Sequence, residues 1–180
     1  MKKFLFVIAA LLAMNVASGF AQTKEDIKAS EARCEKLAKL CSKEPKKTGV
    51  DEVDTYVAGV YTAAIASAAT SEQLQNLYYR QIGETKDGVT DVTIKKPTAE
   101  ELISLGTTLT AEGVSIAAAA KGAESATKAS TENKNPIKAA KIASALAFTK
   151  DAYPVLLEES KAKVAAIKQM IETAKTGKNL

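Results

Sequence analysis

The apolar and small positions Ile27, Ser30, Cys34, Leu37 and Cys41 recur three or four residues apart between residues 23 and 44, the spacing that lines one face of an α-helix. Pro45, the Lys46-Lys47 pair and Gly49 predict its end, since proline lacks a backbone donor and glycine favours the left-handed turn that closes helices. A second helix is predicted from Asp51, read as its N-cap, to Ile82, with Val53, Tyr56, Val60, Ala63, Ser67, Leu74 and Leu77 facing inward. Residues 83–97 break the helical period: Asp87-Gly88 is a turn signal, and Val89, Thr90, Val92, Thr93 and Ile94 favour extended backbone.

Helical periodicity returns at Thr98, which with Glu101 forms a capping box ahead of Leu102, Ile103, Leu105 and Leu109. This third helix is expected to continue through Gly113, Ile116 and the alanines at 117–120, then to give way to a polar connector containing Ser130, Thr131, Asn133 and Asn135. Pro136 suits a first helical position. Ile142, Leu146, Tyr153, Leu156, Val164, Ile167 and Ile171 carry the last helix, ending by Gly177. Pro154 lies inside it, so a kink or a split near Asp151 is expected. The pattern therefore predicts an all-α, up-down bundle of about four long helices, with a β-prone loop between helices two and three, folded as a single domain over residues 22–180.

Small residues recur every four positions in three of these helices: Gly59, Ala63, Ser67; Ser115, Ala119, Ala123; Ala139, Ala143, Ala147. Such seams let helix axes approach closely. Residues 55–71 carry no charge, which raises membrane insertion as a possibility; their many alanines, serines and threonines favour burial between helices instead.

The first 21 residues change the picture of compartment. Lys2 and Lys3 precede an apolar run from Phe4 to Met14, and Gly19 and Ala21 supply the small residues of a cleavage site, so the expectation is an exported protein beginning at Gln22. The destination is the periplasm, the cell surface or the exterior. Cleavage removes two lysines and no acid, taking the net charge from +4 to +2, which argues against a nucleic-acid partner.

Candidate chemistry is thin. The chain has no histidine, the commonest general base and transition-metal ligand. Acidic pairs such as Asp51 with Asp54 and Glu100 with Glu101 read as caps or solvated faces, so neither a metal, a cofactor nor a catalytic residue is expected. Cys34 and Cys41 lie on one stripe of the first helix, and seven helical residues separate their Cα atoms by about 10.5 Å, beyond the roughly 7 Å reach of a disulfide. They are expected to be thiols; a bond between them requires a broken helix, and a bond to another chain is the remaining alternative. Tyr78 and Tyr79 are adjacent, so one of them is expected to face solvent or the loop. Together with Arg80, Asp87, Gly88 and Ile94 they form the candidate partner contact, because long loops in compact domains carry binding. The expected function is a non-enzymatic interaction or structural protein with a protein partner. The alternative is a carrier of a small apolar ligand held between the helices, lined by Tyr56, Tyr61 or Tyr153.

Overall fold

The computed structural model describes residues 23–176. The leader expected at residues 1–21 and the helix stop expected at Gly177 lie outside them. Four helices follow in chain order: α1 Lys24–Leu40, α2 Asp51–Ile82, α3 Ala99–Glu132 and α4 Pro136–Thr176. The described residues contain no strand, only one isolated antiparallel bridge between Glu84 and Thr90. Over the described residues the fold is all-α, with four helices.

Local chemistry sets the helix ends. Thr23 and Asp26 form a reciprocal cap on α1: the Asp26 amide donates to Thr23 Oγ1 at 3.2 Å, and the Thr23 amide donates to Asp26 Oδ2 at 2.9 Å. The same device starts α3, where the Thr98 amide donates to Glu101 Oε2 at 2.7 Å and the Glu101 amide to Thr98 Oγ1 at 3.2 Å. Asn135 caps α4 through its Oδ1, which accepts from the amides of Ile137 and Lys138. α2 ends in a Schellman motif at Gly83, whose φ of 74° is left-handed: the Glu84 amide reaches the Tyr79 carbonyl and the Gly83 amide reaches that of Arg80.

Two expectations need correction here. α1 stops at Leu40, so Cys41 lies just past the helix, and Gly49 is part of the connection to α2 and closes no helix. The carboxylate that organises the start of α2 is Asp54 in place of Asp51; it accepts from the Thr48 amide (2.7 Å), Thr48 Oγ1 (2.8 Å) and the Gly49 amide (3.1 Å). Of the kink or split expected near Asp151, the split is absent: α4 runs unbroken across Pro154.

The chain divides into two compact units. Among the described residues the first contains residues 23–32, 69–111 and 160–176, and the second is Arg33–Ala68 with Glu112–Glu159. The first unit has one continuous core in which Leu74, Leu102, Leu109, Ile167 and Met170 are almost wholly enclosed. Each such side chain contributes about 1.5–3 kcal/mol by leaving water. The second unit has two smaller clusters, one around Leu37, Val60, Ile116 and Leu156 and one around Val53, Ala126 and Ile142. Its helices meet through small residues. A Cβ placed on Gly59 would lie 3.5 Å from the Ala119 Cβ, and one on Gly122 would lie 3.5 Å from the Tyr56 Cβ. Among the described helices only α3 is long and apolar enough to cross a membrane, a test that core helices of globular proteins also pass; its Leu102, Leu105, Leu109, Ile116 and Ala126 are buried.

Candidate functional site

The connection between α2 and α3, in the first unit, is the most elaborate surface feature. Its sequence is polar and turn-rich, yet its backbone is closed on itself. The Thr85 amide donates to the Val89 carbonyl (2.8 Å), the Gly88 amide to the Thr85 carbonyl (2.9 Å) and the Asp91 amide to the Gly83 carbonyl (3.0 Å). Gly88 has a φ of 79°, the left-handed conformation that the Asp87-Gly88 turn requires. Asp91 then accepts from the Thr93 amide and hydroxyl at 2.9 and 2.7 Å. These two bonds lower the Asp91 carboxyl pKa.

Arg80, on the last turn of α2, anchors the far side of the loop. Its Nε donates to the Lys95 carbonyl at 3.0 Å, and its Nη2 to that of Lys96 at 3.5 Å. The same guanidinium forms a bidentate pair with Glu101, Nη1 to Oε1 at 2.6 Å and Nη2 to Oε2 at 3.0 Å. Arg80 first, and the Thr98 amide second, pull the Glu101 carboxyl from its ordinary 4.5 down to about 2. One side chain therefore joins the end of α2, the end of the loop and the cap of α3. Lys24 of α1 pairs with Glu84 at 2.6 Å, and Lys86 of the loop with Glu31 of α1 at 3.6 Å.

Of the six residues nominated for partner contact, Asp87 and Gly88 are exposed, while Ile94 and Arg80 are half-buried. Of the two alternatives expected for Tyr78 or Tyr79, solvent or the loop, solvent fails for both. They are 3% and 9% exposed and meet edge to face, with centroids 5.7 Å apart. The last turns of α2 are enclosed on more than one side, by the core and by charged side chains of α1, so neighbouring positions are both covered. Burial, then the nearby acids, raises the pKa of both hydroxyls. The exposed apolar groups are instead Val89, at 62%, and Val92, at 95%. Their β-branching suggested an extended segment; only the folded loop shows that they point outward.

The second unit contains the two cysteines, both as half-buried thiols. Cys34 Sγ lies 3.9 Å from Glu159 Oε1, and Arg33 Nε donates to Glu159 Oε2 at 2.7 Å. Glu159 is fully buried, and the adjacent guanidinium compensates its charge. Burial pushes the Cys41 thiol pKa up, which disfavours the nucleophilic thiolate. This arrangement compensates the charge of a carboxylate in the interior. No group of three or more Cys, Asp or Glu side chains among the described residues is placed to hold a metal ion.

Two clefts open on the surface. One, in the first unit, has a volume of about 510 Å³ and is shallow, with Asn76, Leu77, Ser104 and Leu105 on its walls and Glu100 and Glu101 at its edge. The other, in the second unit, has a volume of about 500 Å³ and lies between the chain following α1 and the first turns of α4, with Leu40, Ala145 and Phe148 on its floor. Tyr56, Tyr61 and Tyr153 do not line it; Tyr61 packs behind it on Phe148, with ring centroids 6.0 Å apart. No protein-family model matches the chain, and no match is found among curated proteins or solved structures.

Proposed function

We propose that the protein is an exported, non-enzymatic interaction protein of the periplasm or cell surface, and that it meets a protein partner through the loop at residues 83–98. The observation that carries this reading is the 95% exposure of Val92, with Val89 beside it, on a loop whose backbone is already closed by its own hydrogen bonds and by Arg80. A solvated β-branched side chain gains little for folding. Docked into an apolar pocket, it gains transfer energy, and a loop ordered beforehand loses less entropy on binding. The absence of histidine and the burial that raises the Cys41 thiol pKa support a role without catalysis. Near balance of charge supports a protein partner over nucleic acid.

Photo-crosslinking in intact cells tests this. A photoreactive residue at Val92 should give one discrete adduct in the envelope fraction, whereas the same residue at Ile137, which is also exposed, should not give it. Identical adducts from both positions, or none from Val92, would refute the loop as the contact surface.

A further inference from the structure

We propose that the cleft of the second unit is a binding site for a single-chain anionic amphiphile, a molecule with one acyl-like tail and one negatively charged head such as a carboxylate. This site is independent of the loop reading. Leu40, Ala145 and Phe148 give the cleft an apolar floor, and its volume of about 500 Å³ suits a small ligand. The rim has the opposite character. Lys43 and Lys46 stand on the connection after α1, and Lys141 stands on α4, with Glu44 as the one acid among them. All three lysines are exposed, and no ion pair engages them among the described residues. Three ammonium groups around an apolar floor are complementary to a head of negative charge joined to a hydrocarbon tail.

The connection next to the cleft is held before any ligand arrives. Thr48 and Gly49 are fixed by the Asp54 carboxylate; burial opposes its charge, but these hydrogen bonds and nearby Lys47 together hold its pKa below the usual range. Lys138 of α4 donates to the Gly49 carbonyl at 2.8 Å, which ties the connection to the helix across the cleft. Tyr61 donates to the Cys41 carbonyl at 3.5 Å and backs Phe148. The concavity exists because α4 presents Ala140 and Ser144 there, where larger side chains would fill the space. A floor and a connection that are already ordered cost less to occupy than ones that must first be organised.

The test uses cis-parinaric acid, whose fluorescence rises in an apolar site, with the mature protein. Binding should be saturable and displaced by palmitate, but not by palmitic methyl ester, which keeps the tail and lacks the charge. Ser144→Trp should weaken it by about tenfold or more by filling the cleft, and the triple change of Lys43, Lys46 and Lys141 to glutamine should weaken it by about the same factor and remove its salt dependence. All four positions are exposed, so helical circular dichroism should be unchanged in both variants. Equal displacement by acid and ester, or binding that both variants leave intact, would overturn the proposal. So would recruitment to anionic vesicles that is lost with the lysines but insensitive to Ser144→Trp, because that result assigns the charges to a membrane surface.

Discussion

The two units reach stability by different means. In the first, large side chains form one cluster, with Ile27 of α1, Leu74 of α2, Leu102 of α3 and Ile167 of α4 contributing to it. In the second, the apolar contacts fall into two smaller clusters, and five of their thirteen buried members are alanines: Ala63, Ala64, Ala126, Ala145 and Ala152. Alanine buries little area, so the second unit depends on close backbone approach, as at Gly59 against Ala119. The polar interiors differ as well. The first unit hides neutral amides and hydroxyls, with Gln75 Nε2 donating to Ser30 Oγ at 3.5 Å and Gln81 Nε2 to the Met170 carbonyl at 3.3 Å, and one lysine, Lys163, whose Nζ meets Thr70 Oγ1 at 2.6 Å. The second unit buries the Glu159 carboxylate against Arg33. A unit built on large side chains is sensitive to truncation; one built on small side chains is sensitive to enlargement and leaves room for a cleft.

Paired core substitutions sharpen that contrast most strongly. Ile167→Ala in the first unit should cost about 2–5 kcal/mol of unfolding free energy, through lost transfer energy and a residual cavity. Ala152→Leu in the second should cost about 1–3 kcal/mol, because added methylenes displace neighbours that are already in contact. Denaturant midpoints measure both, and an Ala152→Leu variant as stable as the unmutated protein would break the comparison.

The buried ion pair is next. Arg33→Met leaves the Glu159 carboxylate without its guanidinium, and the expected loss is about 3 kcal/mol, at the low end for a broken buried pair, because the Arg33 side chain retains 16% exposure. Changing Arg33 and Glu159 together to methionine should recover part of that loss, as a double-mutant cycle measures.

Smaller effects follow from glycine and from acid. Gly59→Ala should be neutral to stabilising by up to about 1 kcal/mol, since alanine improves helix propensity and its Cβ meets Ala119 at an ordinary contact distance. Thermal unfolding reads the sign. For Glu101, the folded carboxyl titrates at about 2, below its ordinary 4.5. Its contribution is therefore fully present above pH 4.5 and is lost as the pH falls toward 2. The lowered carboxyls of Asp54 and Asp91 act in the same direction. Glu101→Gln should flatten the stability profile between pH 4.5 and 2 and leave it unchanged in slope above pH 5; an unaltered acid limb would show that the Arg80 pair contributes nothing to folding.

Much of the fold was legible because it is local. The capping box at Thr98 and Glu101, the first helical position of Pro136, the turn at Asp87-Gly88 and the inward stripe of α2 each depend on residues within a few positions of one another. The candidate site was less so. Arg80 reads from the sequence as a candidate partner contact, but its acceptors are the Lys95 and Lys96 carbonyls, fifteen and sixteen residues on, and only the folded loop brings them within reach. Tyr78 and Tyr79 misled for a related reason: helical geometry limits one helix facing one core line, whereas this helix end is enclosed from several directions. Asp54 replaced Asp51 because the chain at Thr48 and Gly49 folds back over the first turn of α2, which no periodicity encodes. The cleft was illegible altogether, since it is defined by what Ala140 and Ser144 lack.

The central functional claim is that residues 83–98 form an ordered platform for Val89 and Val92, and amide hydrogen exchange tests it directly. In the unmutated protein the amides of Thr85, Gly88 and Asp91, each bonded to a loop carbonyl, should exchange well below the rate of an unstructured peptide. Arg80→Met should release protection across residues 83–98 while the core amides around Leu74 and Ile167 keep theirs. Exchange of those three loop amides at the unstructured rate in the unmutated protein would contradict the account.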